Sequence, residues 1–219
     1  MSRYIHNLIS QGEHQQLDFK FQVNDSRKIA RTLVAFANTD GGKLLIGVKD
    51  NGVIAGVRTD EEYHMIEAAA SMYCKPEIDF AFRPWNIDGK QVLEIDVPAL
   101  KVKPAFVLTE EDRWMAYVRV GDQNILATPL QIKLWKRQNS EQGTVIKYSD
   151  NERILMSYLN THPFITLSKF SRLADIPRYK AENILVNMIS AGLVEIGQNE
   201  RYVWFRLSEA GQEEEPSAG

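Results

Sequence analysis

The chain has 219 residues, of which 44% are hydrophobic and 25% are charged, a composition that fits one large or two smaller soluble domains. Its single cysteine, Cys74, excludes a disulfide framework and a cysteine-rich zinc site, and it fits a reducing compartment such as the cytoplasm. The formal net charge of −3 excludes a strongly basic protein, but a local basic face can still attract nucleic acid over a Debye length of about 8–10 Å.

The N-terminal segment, MSRYIHNLISQGEHQQ, lacks the long apolar stretch of a signal peptide. Further along the chain, no apolar run is long enough to span a bilayer. We therefore expect a cytoplasmic protein without a membrane partner.

The first predicted elements are a strand, a helix and a second strand. Residues 17–22, LDFKFQ, alternate between apolar and polar side chains, which predicts a half-buried strand with Asp18 and Lys20 on its exposed face. Asp25 or Ser26 then caps a helix that ends at the Gly-Gly pair. KLLIGV is typical of a buried strand, and the DNG turn before VIAGV predicts a hairpin.

The glycine turn at residues 39–42, TDGG, lies between a helix and a strand. A phosphate-binding loop has the opposite order, strand, loop and helix, so that the anion meets the positive N-terminus of the helix. Here the turn meets the negative end of the helix, and it carries Asp40. We interpret the glycines as geometric, returning the chain so that KLLIGVKD lies beside LDFKF.

The stretch that follows predicts one more helix and several strands. A helix is predicted over residues 59–73, and strands are predicted in IDFAFRPW, KQVLEIDVPA and RWMAYVRV. PLQIKLWKRQ predicts a short closing helix. Residues 1–138 are therefore predicted to form an α+β domain with a mostly antiparallel sheet.

The pattern changes after a polar, irregular linker over residues 139–149. Residues 150–208 predict three helices and a two-stranded ribbon, which is the pattern of a small winged helix-turn-helix domain. Residues 209–219 form an acidic tail that we expect to be disordered. A winged helix of this kind either reads DNA or serves as a dimerisation or protein-docking module.

Three stretches, EHQQLDFKF, LVAFANTDGGKLLIGVKDNGVIAGV and AYVRVGDQN, resemble the motifs of the Schlafen AlbA-like domain. That family, also described as divergent AAA-like, includes DNA-binding regulators of bacteria and the animal Schlafen proteins. The resemblance spans roughly residues 8–138. It implies an α+β fold and a partner that is nucleic acid, with DNA favoured over RNA.

In Schlafen nucleases the corresponding motif carboxylates form a metal-dependent RNase centre. The resemblance transfers this role to Glu13, Asp18 and Asp50, which would hold Mg²⁺ or Mn²⁺, with Lys20 near the scissile phosphate. This chain departs from the family at Asp18, where Glu is usual, and at Lys49, where many members have Asp. The shorter carboxylate and the added lysine both weaken the prediction of a metal site.

Candidate nucleic-acid contacts lie in both predicted domains. In the C-terminal domain the third helix should enter the major groove, with Arg and Lys suited to phosphate and guanine and Asn suited to adenine. The candidates are Lys20, Arg119, Lys169, Arg172, Arg178, Tyr179, Lys180, Asn183 and Arg201.

Three hypotheses follow. The first is a DNA-binding transcription regulator, in which a homodimer would read two half-sites. The alternative is a metal-dependent Schlafen-like endoribonuclease that uses the three carboxylates. The third is a non-catalytic interaction module in which both domains serve assembly.

Overall fold

A computed structural model of the protein describes residues 2–57, 61–140 and 148–209. The chain divides into two compact units, Met1–Ala127 and Thr128–Gly219. This division differs from the predicted boundary at residue 138, because the helix that we expected to close the first domain packs within the second unit. Most of the predicted linker and nearly all of the predicted acidic tail lie outside the described residues.

The first unit is a mixed α+β structure, in agreement with the predicted fold class. Its helices are α1 (Ser2–Ile9), α2 (Ser26–Asn38) and α3 (Glu61–Met72). Its strands are β1 (Leu17–Lys20), β2 (Gly42–Ile46), β3 (Cys74–Lys75), β4 (Ala81–Ile87), β5 (Lys90–Val97), β6 (Phe106–Leu108), β7 (Trp114–Met115), β8 (Tyr117–Val120) and β9 (Gln123–Leu126).

The main sheet has the strand order β1-β2-β5-β4. β1 and β2 are parallel, with Asp18 opposite Leu44, and the chain crosses from one to the other through α2. The other neighbours in this sheet pair antiparallel. The predicted pairing of the first two strands is therefore confirmed, in a mixed sheet with one parallel edge.

The glycine turn allows this crossover. Gly41 has a φ of +72°, and a Cβ at this position would lie 2.7 Å from the Val97 carbonyl oxygen. A Cβ on Gly42 would lie 2.5 Å from the Phe36 ring. Only residues without a side chain let the end of α2 pack this closely against β2 and β5, so the geometric interpretation of the turn is confirmed.

The two faces of the sheet bury two separate groups of side chains, which explains why β2 is apolar throughout. Leu44 and Ile46 pack with α2, and Leu45 packs on the other face with Ile5 of α1. A strand that is buried on both faces shows a continuous apolar run rather than an alternation. The exposed alternation predicted for β1 fails for the same reason, because Asp18 is also covered.

The second unit contains four helices and one hairpin in its described residues. These are α4 (Pro129–Gln138), α5 (Asp150–Thr161), α6 (Leu167–Leu173), α7 (Arg178–Ser190), β10 (Val194–Gln198) and β11 (Val203–Leu207). The two strands pair antiparallel. Leu130 and Leu134 of α4 join the same core as Leu185 of α7 and Phe205 of β11. Lys133 of α4 also pairs with Glu182 of α7 at 2.7 Å.

In the described part of the chain, no helix has the length and apolar character that crossing a membrane requires.

Candidate functional site

The predicted carboxylate site centres on Asp18, which lies on β1 and is only 3% exposed. Its Oδ1 lies 3.2 Å from the Arg119 guanidinium, whose side chain is also buried. Arg119 comes from β8, a hundred residues further along the chain. A buried carboxylate needs such a charged partner, because an unpaired charge in a low-dielectric interior is costly.

Arg119 makes several further contacts that leave it no access to solvent. Its guanidinium donates to the carbonyl oxygen of Leu17 at 3.2 Å and to Asn124 Oδ1 at 3.1 Å, and it lies 5.2 Å from the centre of the Phe36 ring. The residue is 2% exposed. In this conformation Arg119 therefore offers no surface to a nucleic-acid phosphate, and its predicted phosphate contact stays untested. Arg119 instead holds β8, β1 and α2 together.

Lys20 and Glu13 complete the charged cluster around Asp18. The Lys20 ammonium lies 2.8 Å from Asp18 Oδ2 and donates to the Phe19 carbonyl oxygen at 2.7 Å. Glu13 accepts a hydrogen bond from the Phe19 backbone N–H at 2.9 Å. Burial raises the pKa of Glu13 above its ordinary value, and the neighbouring Asp18 carboxyl raises this pKa further. The two carboxyls are thus adjacent, and a lysine ammonium already supplies the positive charge beside them.

The third predicted ligand, Asp50, does not complete a metal site. It lies in an exposed turn after β2, next to exposed Lys49. Across the described ranges, no group of three or more His, Cys, Asp or Glu side chains is arranged to hold a metal ion. With Asp18 engaged by Arg119 and Lys20, the side chains do not fit Mg²⁺ or Mn²⁺, which need several free oxygen ligands. The metal triad of Glu13, Asp18 and Asp50 therefore stays a prediction from the resemblance, and the contacts of Asp18 do not support it.

Residues of the FANTDGG motif make contacts that the sequence alone did not predict. Buried Asn38 donates through Nδ2 to the carbonyl oxygens of Ala105 and Tyr117, both at 2.9 Å, and accepts from the Ala105 N–H at 2.7 Å. Thr39 Oγ1 accepts a hydrogen bond from the Arg119 backbone N–H at 2.8 Å. An Asn at the end of a buried helix was the available signal, since a buried amide must find partners. The motif is therefore a structural junction.

In the second unit, the predicted contact residues on α7 lie together in the first half of that helix. Arg178, Tyr179, Lys180 and Asn183 are all exposed, and Tyr179 has 65% of its surface accessible. Ala181, Ile184 and Leu185 are buried in the core. The Arg178 guanidinium lies 3.6 Å from the carboxylate of Glu182, one turn further along α7. It also donates to the Ser168 hydroxyl of α6 at 3.4 Å. The helix thus presents a polar face that includes two cations away from its core.

The remaining predicted cations lie on α6 and in the turn of the hairpin. Lys169 and Arg172 are exposed on α6, and Arg201 is exposed in the turn between β10 and β11. Asn199 Oδ1 accepts hydrogen bonds from the backbone N–H groups of Arg201 and Tyr202, each at 2.9 Å, which fixes this turn. All of these cations belong to one compact unit, and none of them is buried.

Comparison with known proteins gives a family match and distant similarities to solved structures, two of which are described below. The family model described as "Schlafen, AlbA_2" matches residues 13–128. A crystal structure of the DIP2311 protein from Corynebacterium diphtheriae is similar at 20% identity and a TM-score of 0.45, covering 90% of this chain and 39% of that protein. The N-terminal domain of a RecG-related protein from Nitrosomonas europaea is similar at 18% identity and a TM-score of 0.39, covering 66% of this chain and 95% of that domain.

Proposed function

The chain belongs to the Schlafen AlbA_2 family, and from this premise we propose that it is a nucleic-acid-binding protein that acts as a DNA-binding transcription regulator. In this proposal the second unit is a winged helix, with α7 as the recognition helix and the β10–β11 hairpin as the wing. The observation that carries the proposal is the exposed first half of α7, which presents Arg178, Lys180 and Asn183.

The order and content of the second unit support this assignment. α5, α6, α7 and the hairpin follow one another along the chain as the elements of a winged helix do. Lys180 and Asn183 lie on the exposed side of α7, where a lysine can reach phosphate or guanine and an asparagine can pair with adenine. Lys169 and Arg172 on α6 are suited to backbone phosphates.

In the first unit, two of the predicted contact residues are engaged within the protein. Arg119 is buried and the Lys20 ammonium is engaged by Asp18, so neither is free for a phosphate in this conformation. We therefore assign the duplex contact to the second unit and a structural or regulatory role to the first. We do not propose the ribonuclease alternative, because its three carboxylates do not form a metal site.

A salt titration of duplex binding tests the proposal. We expect full-length protein to bind genomic duplex fragments with an affinity that falls as salt rises, because phosphate contacts release counterions. Lys180→Ala should reduce the slope of log affinity against log salt by about 1, as measured by fluorescence anisotropy.

The matched control is Lys136→Ala, which removes an exposed lysine from α4 of the same unit. This variant should retain the wild-type slope and affinity. Absence of duplex binding even at low salt would overturn the proposal, as would equal losses in the two variants.

A further inference from the structure

The second unit carries two groups of aromatic contacts, Tyr158 with His162 and Phe164 with Tyr202 and Trp204, and a single residue separates His162 from Phe164 along the chain. We call these five residues together the aromatic band. We propose that the aromatic band binds unpaired bases of single-stranded nucleic acid by stacking. This inference rests on the proposed function and adds to it a second class of ligand.

One end of the band is built on α5. The rings of Tyr158 and His162 are stacked, with centroids 3.9 Å apart and planes 9° apart. The Lys169 ammonium of α6 lies 6.0 Å from the centre of the Tyr158 ring. The His162 ring nitrogen Nδ1 lies 3.1 Å from the Tyr158 carbonyl oxygen, which holds the imidazole over the end of the helix. An ordered ring pair with a cation beside it is therefore present before any ligand binds.

The other end of the band joins the loop after α5 to the hairpin. The centre of the Phe164 ring lies 6.4 Å from the centre of the Tyr202 ring and 6.5 Å from that of Trp204. The ring centres of Tyr202 and Trp204 are 5.6 Å apart. The neighbouring Ile165 forms a backbone bridge with Phe205 of β11. The N–H of each residue donates to the carbonyl oxygen of the other, with N···O distances of 2.8 Å. This bridge fixes the loop beside the hairpin, so the three rings keep their positions relative to one another.

Gly197 allows Trp204 to lie across the hairpin. It is paired with Trp204 in the register of β10 and β11, and a Cβ at this position would collide with the indole ring. The indole therefore rests on the neighbouring strand where a larger residue would push it away. A preorganised ring loses little conformational entropy when a base stacks on it.

Exposure and charge indicate what the band binds. Phe164 is 41% exposed and Tyr202 is 46% exposed, so part of each ring is open to solvent. Lys169 lies beside one end, and Arg201 adjoins Tyr202 at the other. Of the acidic residues on the hairpin, Glu195 is paired with Arg206 at 2.8 Å and Glu200 adjoins Arg201.

Aromatic rings flanked by cations match the two parts of a single strand, the bases and the phosphates. A duplex offers its bases only at their edges, so stacking selects unpaired nucleotides. The alternative occupant is a second copy of the chain, since exposed apolar rings also form interfaces. The two occupants make different predictions for the same variants.

The test compares single-stranded and duplex binding by full-length variants. The probe is an oligothymidylate of about 12 nucleotides, a length within the usual range for stacking sites. Tyr202→Ala and Trp204→Ala should each weaken single-strand binding by about 5- to 150-fold, the loss expected for one stacked base. Trp204→Phe should retain most of the single-strand affinity, and the two alanine variants should lose more affinity for the single strand than for duplex.

The matched control is Tyr148→Ala, an exposed tyrosine of the same unit outside the band. This control should leave single-strand binding unchanged. If Trp204→Ala fails to fold, Tyr202→Ala alone tests the inference. Wild-type duplex binding without single-strand binding would overturn this inference alone, as would unchanged single-strand binding in Tyr202→Ala. So would loss of a dimer, measured by sedimentation, in Tyr202→Ala with no change in nucleic-acid affinity. Failure to bind either form would overturn the proposed function as well.

Discussion

Replacing Arg119 with methionine is expected to lower the free energy of unfolding by about 3–5 kcal/mol, the cost of leaving a buried carboxylate without its partner. Asp18 would keep only the Lys20 ammonium, whose side chain is 38% exposed. The hydrogen bonds from Arg119 to Leu17 and Asn124 would be lost as well. Urea denaturation followed by circular dichroism measures the change.

Two comparisons make this result specific. Arg113→Met, at an exposed arginine of the same unit, should change stability by no more than about 0.5 kcal/mol. Combining Arg119→Met with Asp18→Asn removes both charges and should recover part of the loss. If Arg119→Met unfolds at the same urea concentration as the wild type, the buried pair does not stabilise the junction between β1 and β8.

Replacing Asn38 with leucine, a side chain of similar size, should lower the free energy of unfolding by about 3–6 kcal/mol. The substitution removes three hydrogen bonds and leaves the N–H and carbonyl of Ala105 and the carbonyl of Tyr117 without this partner. A buried backbone group without a partner costs about 1–3 kcal/mol. The effect is large relative to the total stability of a domain, about 5–15 kcal/mol, so part of the protein should also be insoluble.

The control for this substitution is Asn24→Leu, at an exposed position before α2. It should leave the urea midpoint nearly unchanged, because a surface substitution removes no buried contact. Measured midpoints for both variants separate the loss of the buried amide from a general effect of leucine. Equal midpoints for Asn38→Leu and wild type would show that Asn38 does not hold residues 105 and 117.

The sequence predicted much of the local structure of the first unit. The apolar run of β2 and the capping residue Asp25 identified a strand and a helix that the structure contains, and the side chain of Asp25 accepts hydrogen bonds from the first turn of α2. These features depend on neighbouring residues, so their signal lies within a short window. That β1 and β2 lie side by side was predictable because the glycine turn reverses the chain directly after α2, but their parallel direction was not predicted.

Burial of the polar residues was not predictable from such windows. Alternation places Asp18 opposite Leu17 and Phe19, but it does not show what covers the polar side. In this protein Arg119 covers it, from a strand a hundred residues away. The same limit applies to α4, whose amphipathic pattern shows that it packs but not which unit receives it.

The candidate sites divide in the same way. Exposure of Lys180 and Asn183 followed from helical spacing against a buried stripe, which the sequence displays directly. The aromatic band combines α5, a loop and the hairpin, and it depends on ring distances that no pattern of residue types specifies. The metal prediction rests on motif spacing, which identifies the carboxylates but not the cations that lie beside Asp18.

Thermal denaturation with and without Mn²⁺ tests most directly the central claim that Asp18 is held by Arg119 and Lys20 and is not available to a metal ion. We expect the same Tm in EDTA and in excess Mn²⁺ for the wild type and for Asp50→Ala, since no free carboxylate cluster is available. An ion bound at 100 times its Kd would stabilise the protein by about 2.7 kcal/mol. A rise in the Tm with Mn²⁺ that Asp50→Ala abolishes would contradict the claim.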